Sequence, residues 1–275
     1  RKSLVGSEMC IRDRREDIGE GDITAELIPA DAVSIASVIS REACIFCGMD
    51  WFEEVFRQID PEVFIEWQVQ DGDSIAAYET ICSLSGPSRS LLTGERTALN
   101  FIQALSATAT IASRYAAAVE GTGAVVLDTR KTIPGLRAAQ KYAVVCGGCQ
   151  NHRMGLFDAI LIKENHILAA GNIQAAVEDA RFHSPGFPVE IEVEDLEQLQ
   201  QAIDAGVDRV LLDNFTTAQI REAVELGKGR IPLEASGGIT LENIRQYAET
   251  GVDFISTGSL TKDIIAIDLS MRFSM

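Results

Sequence analysis

Residues 127–166 read LDTRKTIPGLRAAQKYAVVCGGCQNHRMGLFDAILIKENH and form the most cationic stretch of the chain after its first residues. It concentrates positive charge in a protein whose formal net charge is −17. A basic pocket in an acidic protein attracts small anions, while the remaining surface repels polyanions such as nucleic acids. The charges do not follow helical spacing, so we expect a site for a multiply charged anion instead of a solvated helix face. The stretch contains His152 and six cationic side chains, which are Arg130, Lys131, Arg137, Lys141, Arg153 and Lys163.

The composition predicts an ordinary globular protein without nucleic-acid or membrane partners. A length of 275 residues allows one large domain or two smaller ones, and 46% of the residues are hydrophobic. No apolar run approaches the length of a membrane span. The six cysteines are irregularly spaced and no secretory leader is visible, which favours reduced thiols and a cytoplasmic location.

Residues 1–14, RKSLVGSEMCIRDR, differ in character from the rest of the chain. They lack an initiator Met, follow neither helical nor strand periodicity, and contain no apolar core typical of a signal peptide. We interpret them as a non-native or disordered segment that replaces a lost natural N-terminus. The fold is therefore predicted from the residues that follow.

Alternating strand-like and helical patterns continue to the C-terminus. In the first part, strand patterns cover 34–46, 63–69 and 80–84, and a helical pattern covers 51–59, which predicts a mixed α/β layer domain. A long Ala-rich helix is predicted over 101–120, ended by two glycines. Apolar runs separated by amphipathic helices then predict a parallel sheet covered by helices. The predicted strands are 124–128, 159–163, 189–193, 209–213, 232–236 and 254–258, and the predicted helices are 173–182, 196–205, 217–226 and 241–250.

The number of these strands predicts an open, incomplete α/β barrel instead of a closed one with eight strands. Polar or small residues stand at the C-terminal ends of the strands, where α/β barrels carry their chemistry. Arg130, Arg153 and Lys163 are suited to binding carboxylates. Glu192 and Asp213, at the ends of consecutive strands, are candidates for binding Mg²⁺ together with substrate phosphates, although two solvated loop acids would give the same pattern.

Two glycine-containing turns follow the last two strands and are candidate phosphate sites, because such turns present backbone N–H groups. They are Ser236-Gly237-Gly238 and Thr257-Gly258-Ser259. His152 lies beside Arg153, and we expect it to donate a hydrogen bond to an anion. His166 is either a supporting group or a plain loop residue.

Two CxxC pairs formally match a four-thiolate zinc site. They are Cys44/Cys47 and Cys146/Cys149. Because about a hundred residues separate the pairs, against ~15–20 in a zinc ribbon, we favour buried free thiols over zinc.

The chain resembles the quinolinate phosphoribosyltransferase family, of the bacterial type, from Glu16 to about Arg272. The resemblance rests on a set of motifs distributed along this length. They are EDIGEGD (16–22), GERTALN (94–100), LDTRKTIPGLR (127–137), GGCQNHRMGL (147–156), LIKENH (161–166), VEIEVE (189–194), LLDN (211–214), EASGGIT (234–240) and ISTGSLTK (255–262).

This resemblance implies an α/β sandwich domain formed by residues 15–104 with 267–275, and an open barrel formed by residues 105–266. It also implies transfer of the phosphoribosyl group of phosphoribosyl pyrophosphate to quinolinate with decarboxylation, giving nicotinate mononucleotide, CO₂ and pyrophosphate. Mg²⁺ and a homodimer or dimer-based oligomer with shared active sites are further expectations. The alternatives are a related phosphoribosyltransferase with another substrate, or a non-catalytic anion-binding scaffold.

By residue match, the resemblance also implies individual roles. The expected quinolinate ligands are Arg96, Arg130, His152, Arg153 and Lys163, with Arg96 supplied by the neighbouring subunit. Thr129 is a further expected substrate contact. The expected catalytic residues are Lys131, between the two substrates, and Glu192 and Asp213, facing the ribose and the metal–pyrophosphate. The two glycine-containing turns would hold the 5′-phosphate. One departure is that Cys149 replaces the third Gly of the family's usual GGG loop, which would narrow the loop if its backbone needed a positive φ.

Overall fold

The computed structural model describes residues 5–274, with side chains from Met9 to Phe273. The chain divides into two compact units. The first unit contains the chain up to Ser113, residues 133–148 and the C-terminal residues from Asp263 onward. The second unit contains Arg114–Thr132 and Cys149–Lys262.

The secondary structure alternates between helices and strands over most of the chain. In chain order the strands are β1 (Val33–Ser40), β2 (Cys44–Ile45), β3 (Phe64–Trp67), β4 (Ser74–Ile75), β5 (Thr80–Pro87), β6 (Val125–Leu127), β7 (Ile160–Ile162), β8 (Val189–Val193), β9 (Arg209–Asp213), β10 (Leu233–Ser236), β11 (Phe254–Ser256) and β12 (Leu269–Ser274). The helices are α1 (Val5–Ile18), α2 (Met49–Ile59), α3 (Ser88–Ala118), α4 (Arg137–Cys146), α5 (Glu164–Ala170), α6 (Ile173–His183), α7 (Leu196–Asp204), α8 (Thr217–Gly227), α9 (Ile244–Ala248) and α10 (Ser259–Lys262). Within the described range, no helix combines the length and apolar character that a membrane crossing requires.

The first unit is built on an antiparallel sheet with the strand order β12-β1-β5-β3. Helix α2 contributes to its core because the apolar residues of α2 recur on one face, and Phe52, Val55 and Phe56 are almost fully buried. The long helix α3 adds Leu99, Ile102 and Leu105 to the same core. A mixed α/β layer domain was predicted here, and the sheet with its helices confirms it.

The second unit contains the parallel sheet, in the order β6-β11-β10-β9-β8-β7. All six strands lie within the ranges predicted from the apolar runs, and helices lie between them as expected. The two outer strands, β6 and β7, do not pair with each other in the described part of the chain. The prediction of an open, six-stranded α/β barrel is confirmed.

Residues 1–14 were expected to be non-native or disordered, but the structure places most of this segment in a helix. Helix α1 starts at Val5, and its Cys10 is completely buried, with the thiol donating to the carbonyl oxygen of Trp51 at 3.7 Å. Arg14 donates to the carbonyl oxygen of Gln58 at 3.0 Å. These contacts with α2 explain why periodicity did not reveal the helix, since tertiary packing can stabilise a helix that lacks an apolar stripe of its own.

The division into units also differs from the predicted boundaries. The boundary expected between residues 104 and 105 falls inside α3, and the contacts change units after Ser113 instead. Helix α4 belongs to the first unit because its Ala139 and Ala143 join that unit's core. Of the cations singled out in the sequence, Arg137 and Lys141 are therefore not part of the barrel, and Lys141 is fully buried.

Cys149 does not strain the loop in which it replaces a glycine. Among non-glycine residues, positive φ values occur only at Tyr78 and Asn214 in the described chain, so the backbone at Cys149 tolerates a side chain. Gly147 is the residue that cannot change, because a Cβ there would lie 2.2 Å from the carbonyl oxygen of Ala109. The narrowing of the loop that a positive φ at Cys149 would have caused is therefore not expected.

The six cysteines are free thiols, and five of them are buried. Cys146 is the partly exposed one. The thiol of Cys47 donates a hydrogen bond to Cys146, which lowers the pKa of Cys146 even though burial opposes this. The thiols of the two CxxC pairs do not gather into one ligand group in the described residues. Three of these four thiols are buried, as expected, and Cys146 is not.

We expect Cys146 to react first with an alkylating agent, because it combines partial exposure with a lowered pKa and the thiolate is the reactive form. Limited treatment with iodoacetamide followed by peptide mass spectrometry measures this order. Cys149 serves as the control, since burial raises its pKa to about 12. Equal labelling of Cys149 and Cys146 in the folded protein would contradict the expectation.

Candidate active site

The C-terminal ends of the central parallel strands bring polar side chains to one edge of the second unit. Ser236 of β10 pairs in register with Asp213 of β9, and Glu192 of β8 pairs with Leu211, two residues before Asp213. Side chains two residues apart in a strand point to the same face. Glu192, Asp213 and Ser236 therefore share one face of the sheet at the edge where α/β barrels carry their active sites.

Lys163 and Glu192 form an ion pair at this edge. Lys163 follows β7, and its Nζ donates to Oε2 of Glu192. The Glu192 side chain is only 14% exposed, whereas the Lys163 side chain is 41% exposed. His166 supports the start of α5, because its Nδ1 accepts a hydrogen bond from the backbone N–H of Lys163 at 3.0 Å. The structure thus brings Lys163 and Glu192 together and gives His166 a local structural contact.

Asn214 links the end of β9 to the first glycine-containing turn. Its Nδ2 donates to Oδ2 of Asp213 at 2.8 Å, and its backbone N–H donates to the carbonyl oxygen of Ser236 at 2.9 Å. Gly237 and Gly238 both have positive φ, 103° and 60°. A Cβ on Gly237 would lie 2.1 Å from Oδ1 of Asn214, so only glycine fits against that amide.

The second glycine-containing turn lies against Lys131. A Cβ on Gly258 would lie 2.8 Å from Cδ of Lys131, which shows how closely the lysine stem passes this turn. The backbone of Lys131 is held by two hydroxyl groups: its N–H donates to Thr129 at 3.1 Å, and its carbonyl accepts from Thr261 at 2.8 Å. Thr257 itself is buried and donates its hydroxyl to a backbone carbonyl, so its side chain serves the fold.

Arg130 and Arg153 place two like charges near each other. Burial lowers the pKa of Arg153, and the positive charge of Arg130 lowers it further. One N–H of the Arg153 guanidinium donates to the carbonyl oxygen of Ala159 at 3.2 Å. Two guanidinium groups that repel each other form a favourable site for an anion with more than one negative charge, because the anion relieves the repulsion.

The imidazole of His152 faces two buried glutamates. Its Nε2 lies 2.9 Å from Glu190 and 3.5 Å from Glu234, and its Nδ1 accepts the backbone N–H of Arg153 at 2.8 Å. Burial lowers the pKa of His152, but the two carboxylates outweigh this and raise the pKa to about 9. The raised pKa favours a ring protonated on both nitrogens, in which Nδ1 could no longer accept from Arg153. The hydrogen bond to Arg153 therefore belongs to the neutral ring, with its proton on Nε2.

The two glutamates have opposite pKa shifts. Burial raises the pKa of Glu190 despite its contact with His152. Burial acts in the same direction on Glu234, but the hydrogen bonds and charges of His152, Ser256 and Arg209 prevail and lower its pKa. The guanidinium of Arg209 lies 3.2 Å from Glu234 and 4.1 Å from the centre of the Phe254 ring.

Arg96 is the one predicted site residue that lies in the first unit. It is on α3, and its side chain is exposed. The other predicted site residues all lie in the second unit, at or near strand ends. They are Thr129, Arg130, Lys131, His152, Arg153, Lys163, Glu192, Asp213, Ser236, Gly237, Gly238, Thr257, Gly258 and Ser259.

Sequence reasoning missed Glu190, Glu234 and Asn214. A usable signal was present for the glutamates, since Glu190 stands two residues before Glu192 and Glu234 two residues before Ser236. In a strand this spacing places both members of each pair on one face. No comparable signal marked Asn214, whose importance comes from its positive φ and its contact with Gly237.

Two family models together match almost the entire chain. Residues 22–106 match the N-terminal domain of quinolinate phosphoribosyl transferase, and residues 108–272 match its C-terminal domain. The chain belongs to the quinolinate phosphoribosyltransferase family. The family boundary near residue 107 lies inside α3.

Relatives and solved structures agree with this family. The chain is 42% identical over 262 residues to a probable nicotinate-nucleotide pyrophosphorylase [carboxylating] of Bacillus subtilis, covering 94% of this chain and 90% of the relative. It is 40% identical to the nicotinate-nucleotide pyrophosphorylase [carboxylating] of Mycobacterium leprae, covering 94% of each chain. The solved structure of the nicotinate-nucleotide pyrophosphorylase of Francisella tularensis has a TM-score of 0.96 and 48% identity, covering 98% of this chain and 96% of that one.

The contact between Gly237 and Asn214 gives a paired test of the first glycine-containing turn. We expect Gly237→Ala to lower the free energy of unfolding by about 2–4 kcal/mol, because it combines a strained φ with a clash against Oδ1 of Asn214. Gly238→Ala is the matched control, since its φ is also positive but nothing lies within 4 Å of the added Cβ, and about 1 kcal/mol is expected. Urea denaturation of both variants measures the difference. Equal losses of unfolding free energy in the two variants would show that the contact with Asn214 does not contribute to stability.

Proposed function

We propose that this chain transfers the phosphoribosyl group of phosphoribosyl pyrophosphate to quinolinate and releases CO₂ and pyrophosphate, giving nicotinate mononucleotide for NAD biosynthesis. Membership of the family and the relatives' names support this reaction. A relative from Nicotiana tabacum, 37% identical over 278 residues, is named quinolinate phosphoribosyltransferase [decarboxylating].

The observation that carries the proposal is the proximity of two arginines, with a lysine after another strand of the same sheet. Arg130 and Arg153 are close enough for one to lower the pKa of the other, and Lys163 follows a strand of the same sheet. One carboxylate does not need so many cations, whereas the two adjacent carboxylates of quinolinate do. Guanidinium groups bind carboxylates through paired N–H donors, which also fixes the orientation of the pyridine ring.

The first chemical step forms a bond between the pyridine nitrogen and the anomeric carbon while pyrophosphate leaves. Its transition state resembles an oxocarbenium ion, so the chain mainly positions the two substrates and neutralises the departing charge. Lys131 is suited to this role because its stem runs along the turn at Gly258, between the proposed quinolinate and phosphate sites. Glu192 and Asp213 lie at the C-terminal edge of the same sheet. We propose that they lie next to the ribose and the leaving pyrophosphate.

The second step breaks the bond between the ring carbon next to the nitrogen and its carboxylate. The electron pair stays on that carbon, where the positively charged ring nitrogen stabilises it, and a proton then takes the place of the released CO₂. This step needs no strong side-chain base. The residues that bind the carboxylates instead hold the ring in place while the charge is redistributed.

The phosphate of the ribose is proposed to bind at the two glycine-containing turns. Consecutive positive φ values at Gly237 and Gly238 turn backbone groups toward one side of the loop. Gly258 leaves room beside Lys131, which brings a cation to the second turn. Thr257 is proposed to act through its backbone, because its hydroxyl already donates to Ile239.

Magnesium is proposed as the metal, bound largely through the substrate. The chain offers two carboxylates, of Glu192 and Asp213, on neighbouring strands, and Glu192 is already paired with Lys163. Such a set is too small for a metal site made of protein ligands alone, but it fits Mg²⁺, which keeps several waters and uses one or two carboxylates with substrate phosphates. When bound, Mg²⁺ neutralises charge on the pyrophosphate.

A homodimer, or an oligomer built from dimers, with shared active sites is proposed on the basis of Arg96. This arginine is exposed on α3 of the first unit, whereas the other proposed quinolinate ligands are in the second unit. A two-fold dimer would use each Arg96 in the site of the neighbouring chain and build two equivalent sites.

We expect the protein to form nicotinate mononucleotide and CO₂ from quinolinate and phosphoribosyl pyrophosphate with Mg²⁺. We expect it to use nicotinate poorly, because nicotinate has one carboxylate and cannot neutralise cations that are arranged for two. Chromatographic measurement of product formation tests both substrates. Lys163→Ala is expected to lower kcat/KM for quinolinate by about tenfold or more, whereas the exposed Lys228→Ala, which removes only a pair with Glu225, is expected to leave it unchanged. Equal use of nicotinate would favour a related phosphoribosyltransferase activity.

Subunit mixing tests the shared site. Arg96→Ala and Lys163→Ala proteins, each assayed alone for its reduced activity, are dissociated, mixed and reassociated. Random pairing makes half of the dimers mixed, and each mixed dimer holds one intact site, so about a quarter of the sites are expected to regain activity. If Arg96 serves its own chain, every site keeps a lesion. No recovery after verified subunit exchange would exclude the shared site.

A further inference from the structure

One layer of the parallel sheet, called the floor below, contains Glu190, Arg209 and Glu234. These charged side chains occupy positions where apolar side chains are usual. The inner layers of α/β barrels are dominated by branched aliphatic residues. Here Glu190 of β8 pairs in register with Arg209 of β9, and Glu234 of β10 pairs with Phe254 of β11. Glu190 is 7% exposed and Glu234 is fully buried. Burying two carboxylates is costly unless they hold specific partners, so this layer calls for an explanation beyond packing.

His152 is the partner that connects this floor to the active-site edge. Its Nε2 lies within 3.5 Å of both glutamates. Its Nδ1 accepts a hydrogen bond from the backbone N–H of Arg153, and its own backbone N–H donates to Oδ1 of Asp128 at 2.9 Å. Asp128 is itself fully buried at the end of β6. The imidazole therefore lies between the two glutamates and the backbone of Arg153, while the backbone N–H of His152 ties the same residue to Asp128.

The contacts of His152 favour a supporting role over direct binding of quinolinate. Nδ1 accepts a hydrogen bond from the backbone of Arg153, and Nε2 lies at ion-pair distance from Glu190, so the Nε2 side of the ring points to the glutamates. Arg153, in contrast, has its guanidinium beside the charge of Arg130 and bonds to Ala159 with one N–H. Glu190 also offsets the repulsion between the two guanidinium groups, because its negative charge raises the pKa of Arg153.

A metal ion is the main alternative occupant of this cluster, because one ligand atom from each of His152, Glu190 and Glu234 lies within 4.8 Å of the others. The guanidinium of Arg209 argues against it, since this cation already lies 3.2 Å from Glu234. A divalent ion would add two further positive charges beside that guanidinium. The contact of 2.9 Å between His152 and Glu190 needs no ion to explain it.

We infer that Glu190 and Glu234 are positioning residues for Arg153: they orient the imidazole of His152, which holds the backbone of Arg153 so that its guanidinium meets a carboxylate of the substrate. This inference rests on the proposed function, because it deepens the account of how that site recognises quinolinate. It assigns His152 to the support of the anion site instead of its lining. It also explains the buried charges of Glu190 and Glu234 by a role in substrate recognition.

Steady-state kinetics and calorimetric titration with quinolinate test this role. Glu190→Ala is expected to lower kcat/KM for quinolinate by roughly 10- to 100-fold, the effect of a misplacement of about 1 Å, while KM for phosphoribosyl pyrophosphate stays within about threefold. Glu190→Gln keeps an acceptor oxygen for Nε2 and is expected to restore most of the loss. In an Arg153→Ala background, Glu190→Ala is expected to add less than about threefold, because residues that act through one another are not additive.

Ile191→Ala is the matched control. Ile191 is fully buried in β8 next to Glu190 but points to the opposite face, so its loss destabilises the unit without touching His152. An equal loss of quinolinate affinity in Ile191→Ala, or a full additional loss from Glu190→Ala in the Arg153→Ala background, would overturn the inference. So would wild-type affinity in Glu190→Ala, or no restoration by Glu190→Gln.

If Glu190→Ala does not fold, His152→Phe replaces it, because the phenyl ring keeps the bulk and removes both nitrogens. The same selective, non-additive loss is expected, and unchanged quinolinate affinity would overturn the inference. Elemental analysis completes the test, since one transition-metal ion per chain that disappears in Glu190→Gln would establish a metal centre instead. If the unmodified protein does not convert quinolinate, the proposed function itself fails, whereas activity in the unmodified protein with no effect of Glu190→Ala rejects the positioning role alone.

Discussion

Parallel hydrogen bonding in a fixed register is the constraint on which the candidate site depends. Because β8, β9 and β10 pair in register, Glu192, Asp213 and Ser236 reach one face at one edge, although about 20 residues separate each from the next in the chain. A slip of one residue would turn every second side chain to the other face. The ion pair between Lys163 and Glu192 and the contact of Asn214 with its turn both presuppose this register.

The second unit could be predicted from the sequence because its strands are short apolar runs and its helices are amphipathic. Most of the candidate site residues follow from the same pattern, because they stand at the C-terminal ends of these strands. The first helix and the placement of α4 did not follow, for a physical reason. Cys10 and Ala139 are buried by contacts with residues distant in the chain, and periodicity within one segment carries no information about such contacts.

The buried charges of Glu190, Glu234 and Arg209 were not predicted, for a different reason. In VEIEV (189–193) the two glutamates share a face, yet only Glu192 stands at a strand end, where chemistry was expected. Glu190 lies one layer deeper, in a position that aliphatic residues usually occupy. Its partner His152 belongs to another segment, and its neighbour Arg209 to a third. A network of this kind becomes visible only when three separate segments are placed in space.

The open sheet has two edge strands, β6 and β7, and their length affects how the protein behaves at high concentration. An unpaired strand edge offers a template for pairing with another chain, which is a common route to aggregation. Each of these edges is only three residues long, and residue Gln150 forms a single bridge beside Leu127 at the end of β6. So short an edge supplies few backbone groups to an incoming strand, and the incomplete barrel thereby remains compatible with colloidal stability.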